Sequence, residues 1–142
     1  MGKKVGQGRT KFEGKFAGLL MEVNRRWYAL RSGNNQGWDV HLYLPAEGPW
    51  QQVVLFEVKT SVKQKITFSG REFEQLQRYR DIWKIQHIPT YYAYRWVTSI
   101  KKYQGKIFDE HDKWRFFHID NVPKTLKWEK GIPWKAMMRR LK

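Results

Sequence analysis

The stretch VVLFEVKTS, residues 53–61, is almost continuously apolar up to its last few residues. Strands covered on both faces of a sheet have this composition, because packed layers exclude water from both sides. Side chains alternate along a strand, so Glu57 and Lys59 point to one face and Val58 to the other. Two charges at the end of a buried strand are costly unless they are paired, bound to a cation or open to a cleft. The stretch therefore predicts a central strand with a polar site near its end.

A further acid, Asp39, lies two residues into the preceding predicted strand, WDVHLYL at 38–44. A structural ion pair between Glu57 and Lys59 explains the E-x-K pattern alone equally well. Asp39 changes this balance, because neighbouring strands of a hairpin can set Asp39 beside Glu57, and two adjacent carboxylates repel unless a cation intervenes. Mg²⁺ prefers hard oxygen ligands, needs few protein carboxylates and retains water molecules. The two acids therefore predict a Mg²⁺ site, which Mn²⁺ can also fill.

Helices are predicted on either side of these strands. Apolar residues recur at helical spacing over residues 12–23, which predicts a helix from Thr10 to about Arg25. Thr10 and Glu13 have the spacing of a capping box at its start. A second capping box, Ser69 to Glu72, precedes another run at helical spacing that extends to about Gln86.

Strand signals complete the predicted fold. Runs of β-branched and aromatic residues bounded by turn residues predict strands at 27–32, 38–44, 53–61, 90–97 and 114–119, and 66–68 is a further candidate for the same sheet. The acidic cluster at 109–112 is interpreted as a turn between two strands rather than as a second metal site. The resulting order, αβββαββ, predicts an α/β fold with a central mixed β-sheet flanked by helices.

Composition limits the class of protein. The chain has 142 residues, no cysteine, and 28 Lys and Arg against 13 Asp and Glu, for a net charge of +15. This length favours one domain, with a main region at 1–123 and a basic extension at 124–142 that we expect to belong to it. The absence of cysteine excludes disulfides and cysteine-ligated zinc.

The large positive charge favours nucleic acid as the partner over an ordinary solvated surface. A membrane surface is the other polyanion, but binding it would require a long basic amphipathic helix with a continuous apolar face. The N-terminal sequence contains no apolar run typical of a signal peptide. We therefore expect a cytoplasmic or otherwise intracellular protein with no membrane partner.

Five residues in order, Glu13, Ser32, Asp39, Glu57 and Lys59, resemble the signature of the PD-(D/E)xK nuclease superfamily, and within it the archaeal-type Holliday junction resolvases. The resemblance covers about residues 5–120, and WRFFHID at 114–120 is similar to the last strand of that family. Trp38 stands where the superfamily name records proline, which is not a metal ligand. The extension after Lys124 does not align with the family.

The resemblance implies a role for each residue. Asp39 and Glu57 hold the metal, the Val58 carbonyl adds a ligand, and Glu13 supports the site from the first helix. Lys59 lies beside the attacking water. Ser32 contacts a phosphate, although a serine at a strand end is equally often a turn residue, and Glu13 is alternatively explained as a helix cap. Basic residues that flank these segments are candidates for DNA binding: Arg9, Lys11, Arg31, Lys63, Lys65 and Arg71.

The function implied is a Mg²⁺-dependent, structure-selective DNA endonuclease that resolves four-way junctions by paired symmetric cleavage. Paired cuts imply a homodimer, for which Trp114 and Phe116 are candidate interface residues, and no small-molecule cofactor. Two alternatives remain open: a restriction or repair nuclease on the same core, and a noncatalytic DNA-binding protein whose acids are structural. Metal-dependent nicking of DNA separates the last of these from the nucleases.

Overall fold

A computed structural model describes residues 5–32, 39–45 and 52–142, with side chains from residue 11 onward. Its helices are α1 (Val5–Val23), α2 (Gly70–Gln86) and α3 (Trp134–Leu141). Its strands are β1 (Tyr28–Arg31), β2 (Val40–Leu44), β3 (Gln52–Ser61), β4 (Lys65–Thr67), β5 (Thr90–Trp96), β6 (Lys102–Tyr103), β7 (Lys106–Ile107), β8 (Trp114–His118), β9 (Thr125–Lys127) and β10 (Ile132–Pro133).

A six-stranded mixed sheet forms the centre of the protein, in the order β1-β2-β3-β5-β8-β10. The pair β3 and β5 is parallel, and the other neighbouring strands of this sheet are antiparallel. The parallel pair follows from the intervening helix α2, because strands joined through a helical crossover run in the same direction. The predicted α/β architecture is confirmed, and β3 lies inside the sheet as its apolar sequence predicts.

Different elements cover the two faces of the central sheet. On one face, Phe16 and Leu20 of α1 and Met137 of α3 pack with Phe56 and other inward side chains of the sheet. On the other face, α2 and the small sheet β4–β9 cover a cluster of Tyr92, Tyr94, Phe117 and Trp128 with their neighbours. Glu57 and Lys59 therefore point toward the α2 face, while Val58 is buried against α1.

Several sequence-based expectations are wrong. Helix α1 begins at Val5, five residues before the predicted start, so Thr10 lies inside the helix and not at its N-terminus. Residues 66–68 do not extend the central sheet, because β4 pairs with β9 in a separate two-stranded sheet. Asp39 lies immediately before β2 rather than within it.

The long connection between β5 and β8 is polar and rich in lysine. It contains the two-stranded hairpin β6–β7. The acidic cluster at 109–112 leads from this hairpin into a short 3-10 helix, His111–Lys113, directly before β8. Residues 109–112 therefore lie in a turn between two strands, as predicted, and the hairpin turn of this connection lies earlier, at Gln104 and Gly105.

Residues 124–142 pack against the rest of the protein. Strand β9 pairs with β4, β10 pairs with β8, and α3 contributes Trp134, Met137 and Met138 to the core. At Gly131 an added Cβ would lie 2.7 Å from Arg115 Cβ and 2.8 Å from the Phe117 ring, so this close crossing requires glycine. In the three described segments, no helix combines the length and hydrophobicity needed to cross a membrane.

Candidate functional site

Asp39 and Glu57 lie side by side at the junction of β2 and β3. Val40 is paired with Phe56, and the Asp39 N–H donates to the Phe56 carbonyl at 3.1 Å, so the Asp39 backbone contacts the peptide group that precedes Glu57. Asp39 Oδ2 accepts a hydrogen bond from the Val58 N–H at 2.8 Å. Both acids are buried, with exposures of 7% and 2%. Two neighbouring carboxylates in a buried location form a strongly negative environment that favours a cation.

Lys59 is enclosed by one acid and two aromatic rings. Its Nζ lies 3.4 Å from Glu72 Oε2, and its side chain is 13% exposed. The same Nζ is 5.8 Å from the centre of the Phe68 ring and 5.9 Å from that of Tyr92. A carboxylate and two aromatic rings each attract a cation, which restricts the ammonium group to the space near these three groups.

Glu72 is shared between the helix cap and this lysine. Ser69 Oγ accepts from the Glu72 N–H, and Glu72 Oε1 accepts from the Ser69 N–H at 3.0 Å, which completes the predicted capping box of α2. Although burial alone raises the pKa of Glu72, that pKa lies below its usual value because the Ser69 N–H and the Lys59 ammonium stabilise the carboxylate. Glu72 is therefore ionised at neutral pH.

Tyr92 is the neighbour of Glu57 on β5. Burial raises the pKa of Tyr92 far above its usual value, and the nearby Glu57 carboxylate raises it further. The phenol therefore keeps its proton at neutral pH beside the buried acid. Tyr92 thus forms one wall of the space around Glu57 and Lys59, together with Phe68 and Glu72.

Glu72 and Tyr92 were not among the predicted residues of this site. A signal for Glu72 was present, because the helix that follows a strand in a parallel crossover begins at the carboxyl end of that strand. The N-terminus of α2 therefore had to lie near Lys59, and its capping acid with it. Tyr92 could be assigned to the site only once the register between β3 and β5 was known, because that register pairs Tyr92 with Glu57.

Ser32 lies beside Asp39 through the backbone. It follows β1 directly, and its N–H donates to the Asp39 carbonyl at 3.0 Å. The structure therefore brings Ser32 and Asp39 together, and the loop 33–38 between them, which includes Trp38, lies outside the described residues. Its position at the same sheet edge is compatible with either a phosphate contact or a turn.

Glu13 lies on α1, which crosses the opposite face of the sheet from Glu57. Next to it, an added Cβ on Gly14 would lie 3.5 Å from Arg31 Nη1, so the Arg31 side chain rests on α1 at this point. The explanation of Glu13 as a helix cap is wrong, since α1 continues upstream of it.

The other predicted DNA-binding residues are distributed around this edge of the sheet. Lys63 and Lys65 are exposed in and after the turn that follows β3, and Arg71 is exposed in the first turn of α2. Lys11 is exposed on α1, whereas the side chain of Arg9 lies outside the described residues. Arg31 is also exposed.

The donor set suits a cation with few protein ligands. Among residues 11–32, 39–45 and 52–142, no three His, Asp or Glu side chains group together in a way that could hold a metal ion. Glu13, Asp39 and Glu57 therefore do not form a ready-made three-carboxylate site. The pair Asp39 and Glu57 remains, with the Val58 carbonyl nearby on β3. Two carboxylates fit Mg²⁺, which keeps several waters and accepts one or two protein carboxylates.

Comparison with known proteins identifies the family and the fold of the chain. The model of the C-terminal region of Protein NO VEIN matches residues 10–100, more than half of the chain. The fold is similar to that of Hjc, a Holliday junction resolvase from the archaeal hyperthermophile Archaeoglobus fulgidus, with a TM-score of 0.55 and 18% identity over 87% of this chain and 89% of that chain. No curated protein sequence gives a significant match. The chain belongs to the NO VEIN C-terminal family, and it has the PD-(D/E)xK nuclease fold that Asp39, Glu57 and Lys59 predicted.

Proposed function

We propose that the protein is a divalent-metal-dependent DNA endonuclease that resolves four-way junctions by paired, symmetric cleavage. The observation that carries this proposal is the adjacency of two buried carboxylates, Asp39 and Glu57, to the enclosed ammonium of Lys59. The fold of a junction resolvase and the net charge of +15 support it. The alternatives are a restriction or repair nuclease and a noncatalytic DNA-binding protein.

In the proposed mechanism, Asp39 and Glu57 would hold Mg²⁺ or Mn²⁺ with the Val58 carbonyl, and Glu13 would support the site from α1. A bound divalent ion supplies charge neutralisation at the phosphoryl oxygens and a more acidic water molecule. Lys59 would orient the attacking water and offset the negative charge that develops as the phosphodiester breaks. Ser32 contacts a neighbouring phosphate oxygen.

Glu72 holds Lys59 in this arrangement. Its Oε1 is fixed by the Ser69 N–H while its Oε2 faces Lys59 Nζ, so the rigid first turn of α2 limits where the ammonium can lie. Phe68 and Tyr92 limit it from the other side. The position of Lys59 is therefore set by a helix terminus and not only by its own strand.

Substrate selectivity provides the test of the function. We expect Mg²⁺-dependent cleavage of a synthetic four-way junction at a much higher rate than cleavage of duplexes made from the same arms. Denaturing gels of end-labelled strands measure the two rates and show whether the cuts are symmetric. Equal rates on both substrates favour the restriction or repair nuclease, and binding without nicking in Mg²⁺ or Mn²⁺ favours the noncatalytic protein.

Paired cleavage requires two copies of the site, because one chain has a single set of Asp39, Glu57 and Lys59. We therefore expect a two-fold homodimer, with about twice the 17.3 kDa chain mass in sedimentation or light scattering. The predicted interface residues are wrong, since Trp114 and Phe116 are fully buried in the core of one chain. A protein that stays monomeric on and off DNA contradicts the resolvase assignment.

Replacement of Glu72 by glutamine should slow cleavage by about 10- to 100-fold, the usual effect of losing a partner that positions an active-site group. Glutamine at this position still completes a capping box, so α2 should remain intact. We expect the melting temperature to change little, and the loss to appear in kcat more than in KM. Single-turnover cleavage and thermal melting measure the two effects.

Ser69→Ala is the matched control for Glu72→Gln. It removes the hydroxyl of the same capping box, at a cost of about 0.5–2 kcal/mol in stability, and leaves the Glu72 carboxylate opposite Lys59. We expect a lower melting temperature with an unchanged cleavage rate well below melting. If Ser69→Ala slows cleavage as much as Glu72→Gln does, Glu72 acts through helix stability alone.

A further inference from the structure

The hairpin β6–β7 is a compact element that no role of the candidate site explains. Lys102 pairs with Ile107 and Tyr103 with Lys106. The turn residues Gln104 and Gly105 both have positive φ, 51° and 79°, as in the two-residue turns that match the twist of a hairpin. This short hairpin extends from the protein between β5 and β8.

Hydrogen bonds and ring contacts connect the hairpin and the end of β5 to the segment that follows β3. The Val97 N–H donates to the Ser61 carbonyl at 2.8 Å, and Trp96 Nε1 donates to the Val62 carbonyl at 3.1 Å. Tyr103 Oη accepts from Gln64 Nε2 at 3.4 Å. The rings of Tyr103 and Phe108 have centroids 5.3 Å apart, and both rings contact Trp128. The hairpin and the β3–β4 turn are therefore held together.

Exposed lysines are concentrated on these attached segments. We define the lysine surface as the six exposed residues Lys63, Lys65, Lys101, Lys102, Lys106 and Lys127. Lys65 of β4 is directly opposite Lys127 of β9, and like charges in that position destabilise a strand pair. The acids that follow the hairpin have local partners, because Glu110 pairs with Arg95 and Asp112 accepts from the Asp109 N–H.

The lysine surface lies at the edge of the sheet that carries the candidate site. Ser61 and Trp96 are the last paired residues of β3 and β5, so both strands end at the same edge, two residues beyond Lys59. The hairpin continues from β5 and the β3–β4 turn continues from β3. DNA whose scissile phosphate lies near Asp39 and Glu57 therefore passes close to these lysines.

We propose that the lysine surface binds the phosphate backbone of a DNA arm next to the scissile phosphate. The identity of this ligand rests on the proposed function. Ammonium groups on a rigid hairpin neutralise successive phosphates and release counterions, which gives affinity without base specificity. A bound polyanion also offsets the repulsion between Lys65 and Lys127. The hairpin thus positions the substrate, while Lys59 and the two acids carry out the reaction.

An anionic membrane is the competing ligand for a basic surface that includes exposed apolar residues. Val62 is 73% exposed and Ile107 is 74% exposed. Membrane-surface binding requires a large continuous apolar face, whereas these are two single side chains on different segments. Such side chains can instead pack on deoxyribose between phosphate contacts. The observations therefore favour DNA.

The test uses Asp39→Asn protein, so that DNA is bound but not cut. Lys101, Lys102 and Lys106 are replaced together by glutamine, and binding to a fluorescent four-way junction is measured by anisotropy over a range of salt concentrations. Each phosphate contact contributes about 0.9 to the slope of log affinity against log salt. We expect the slope to decrease by about 2 to 3, and the affinity to fall at least about tenfold at low salt.

A matched triple variant controls for net charge. Arg25, Arg26 and Lys84 are exposed, and they lie at the opposite edge of the sheet, near the start of β1 and the end of α2. Replacing these three by glutamine removes the same charge, and we expect a slope change below about 1. Equal losses in both triple variants overturn the proposal, because they show a dependence on total charge alone.

Lysine labelling provides a measurement that requires no substitution at the hairpin. Bound junction should protect Lys101, Lys102 and Lys106 from acylation, as read by mass spectrometry, while Lys84 stays reactive. Protection by anionic lipid vesicles but not by DNA overturns the proposal in favour of a membrane. A protein whose hairpin lysines bind DNA but which cuts no DNA contradicts the proposed nuclease and leaves the lysine surface supported.

Discussion

Asp39→Asn should abolish metal-dependent cleavage of DNA while DNA binding is unchanged or stronger. Asparagine keeps an oxygen that can accept the Val58 N–H, so the junction of β2 and β3 should remain folded. It removes one of the two buried negative charges that are proposed to hold the ion. Loss of an outer-shell partner typically costs 10- to 100-fold, so loss of a direct ligand should exceed about 100-fold. Removal of negative charge near phosphate can only favour binding.

Cleavage and binding are measured on the same junction, by gel assay in Mg²⁺ and by anisotropy without it. Asp81→Asn provides the control, because Asp81 is an exposed aspartate on α2 and the chemical change is identical. We expect Asp81→Asn to cut at the normal rate. Retained cleavage in Asp39→Asn protein would falsify the assignment of the metal site. Loss of binding together with cleavage indicates instead a local folding role for Asp39.

The part of the site that sequence could predict is the part contained in neighbouring strands. Period-two alternation puts Glu57 and Lys59 on one face, and a hairpin between β2 and β3 brings Asp39 next to Glu57. These relations depend on local geometry, so they hold although β2 begins two residues later than predicted. Ser69 and Glu72 likewise specify the start of α2 through hydrogen bonds between near neighbours.

The relations that sequence missed depend on distant parts of the chain. Trp114 and Phe116 were assigned to a dimer interface because large aromatics on a late strand fit either a surface or a core. They are buried only because α1 and α3 cover that face of the sheet, which strand periodicity does not reveal. Helix α3 itself has no N-cap side chain that marks its start. The contact between Lys59 and Glu72 could be predicted only by recognising that β3 and β5 are parallel strands joined through α2.

Arg95→Ala should be the most destabilising of the substitutions considered. Arg95 is 5% exposed, and its Nε and Nη2 each lie 2.7 Å from one oxygen of Glu110. Its guanidinium is also 4.5 Å from the centre of the Phe12 ring on α1, and Lys15 of α1 contacts Glu110 at 3.4 Å. Removing one partner of a fully buried ion pair typically costs about 3–5 kcal/mol, and because the Glu110 side chain is 24% exposed we expect the lower end of this range. Thermal melting should fall by roughly 10 °C or more.

Arg78→Ala gives the control, because Arg78 is exposed on α2 and surface substitutions usually change stability by under about 0.5 kcal/mol. The double variant Arg95→Met, Glu110→Gln should be more stable than Arg95→Ala, since it leaves no buried charge without its counterion. A double variant no better than Arg95→Ala indicates that the packing of the guanidinium on Phe12, and not the charge pair, holds α1 on the sheet.

The pH dependence of stability separates the charge pair from packing. Burial alone raises the pKa of Glu110, but Arg95, Trp114 Nε1 and Lys15 stabilise the carboxylate more strongly and hold its pKa at about 2, below the ordinary value of 4.5. A carboxyl group with a lowered folded-state pKa stabilises the protein above its unfolded-state pKa, and this contribution is lost as pH falls from about 4.5 toward 2.

Wild-type protein should therefore lose more stability across this range than the Arg95→Met, Glu110→Gln variant, as measured by urea unfolding at each pH. Parallel curves for the two proteins contradict the ion pair as a source of stability. A steeper wild-type curve shows that the pair of Glu110 and Arg95 stabilises the protein. Because Arg95 contacts Phe12 and Glu110 contacts Lys15, this pair also holds α1, the helix from which Glu13 is proposed to support the metal site.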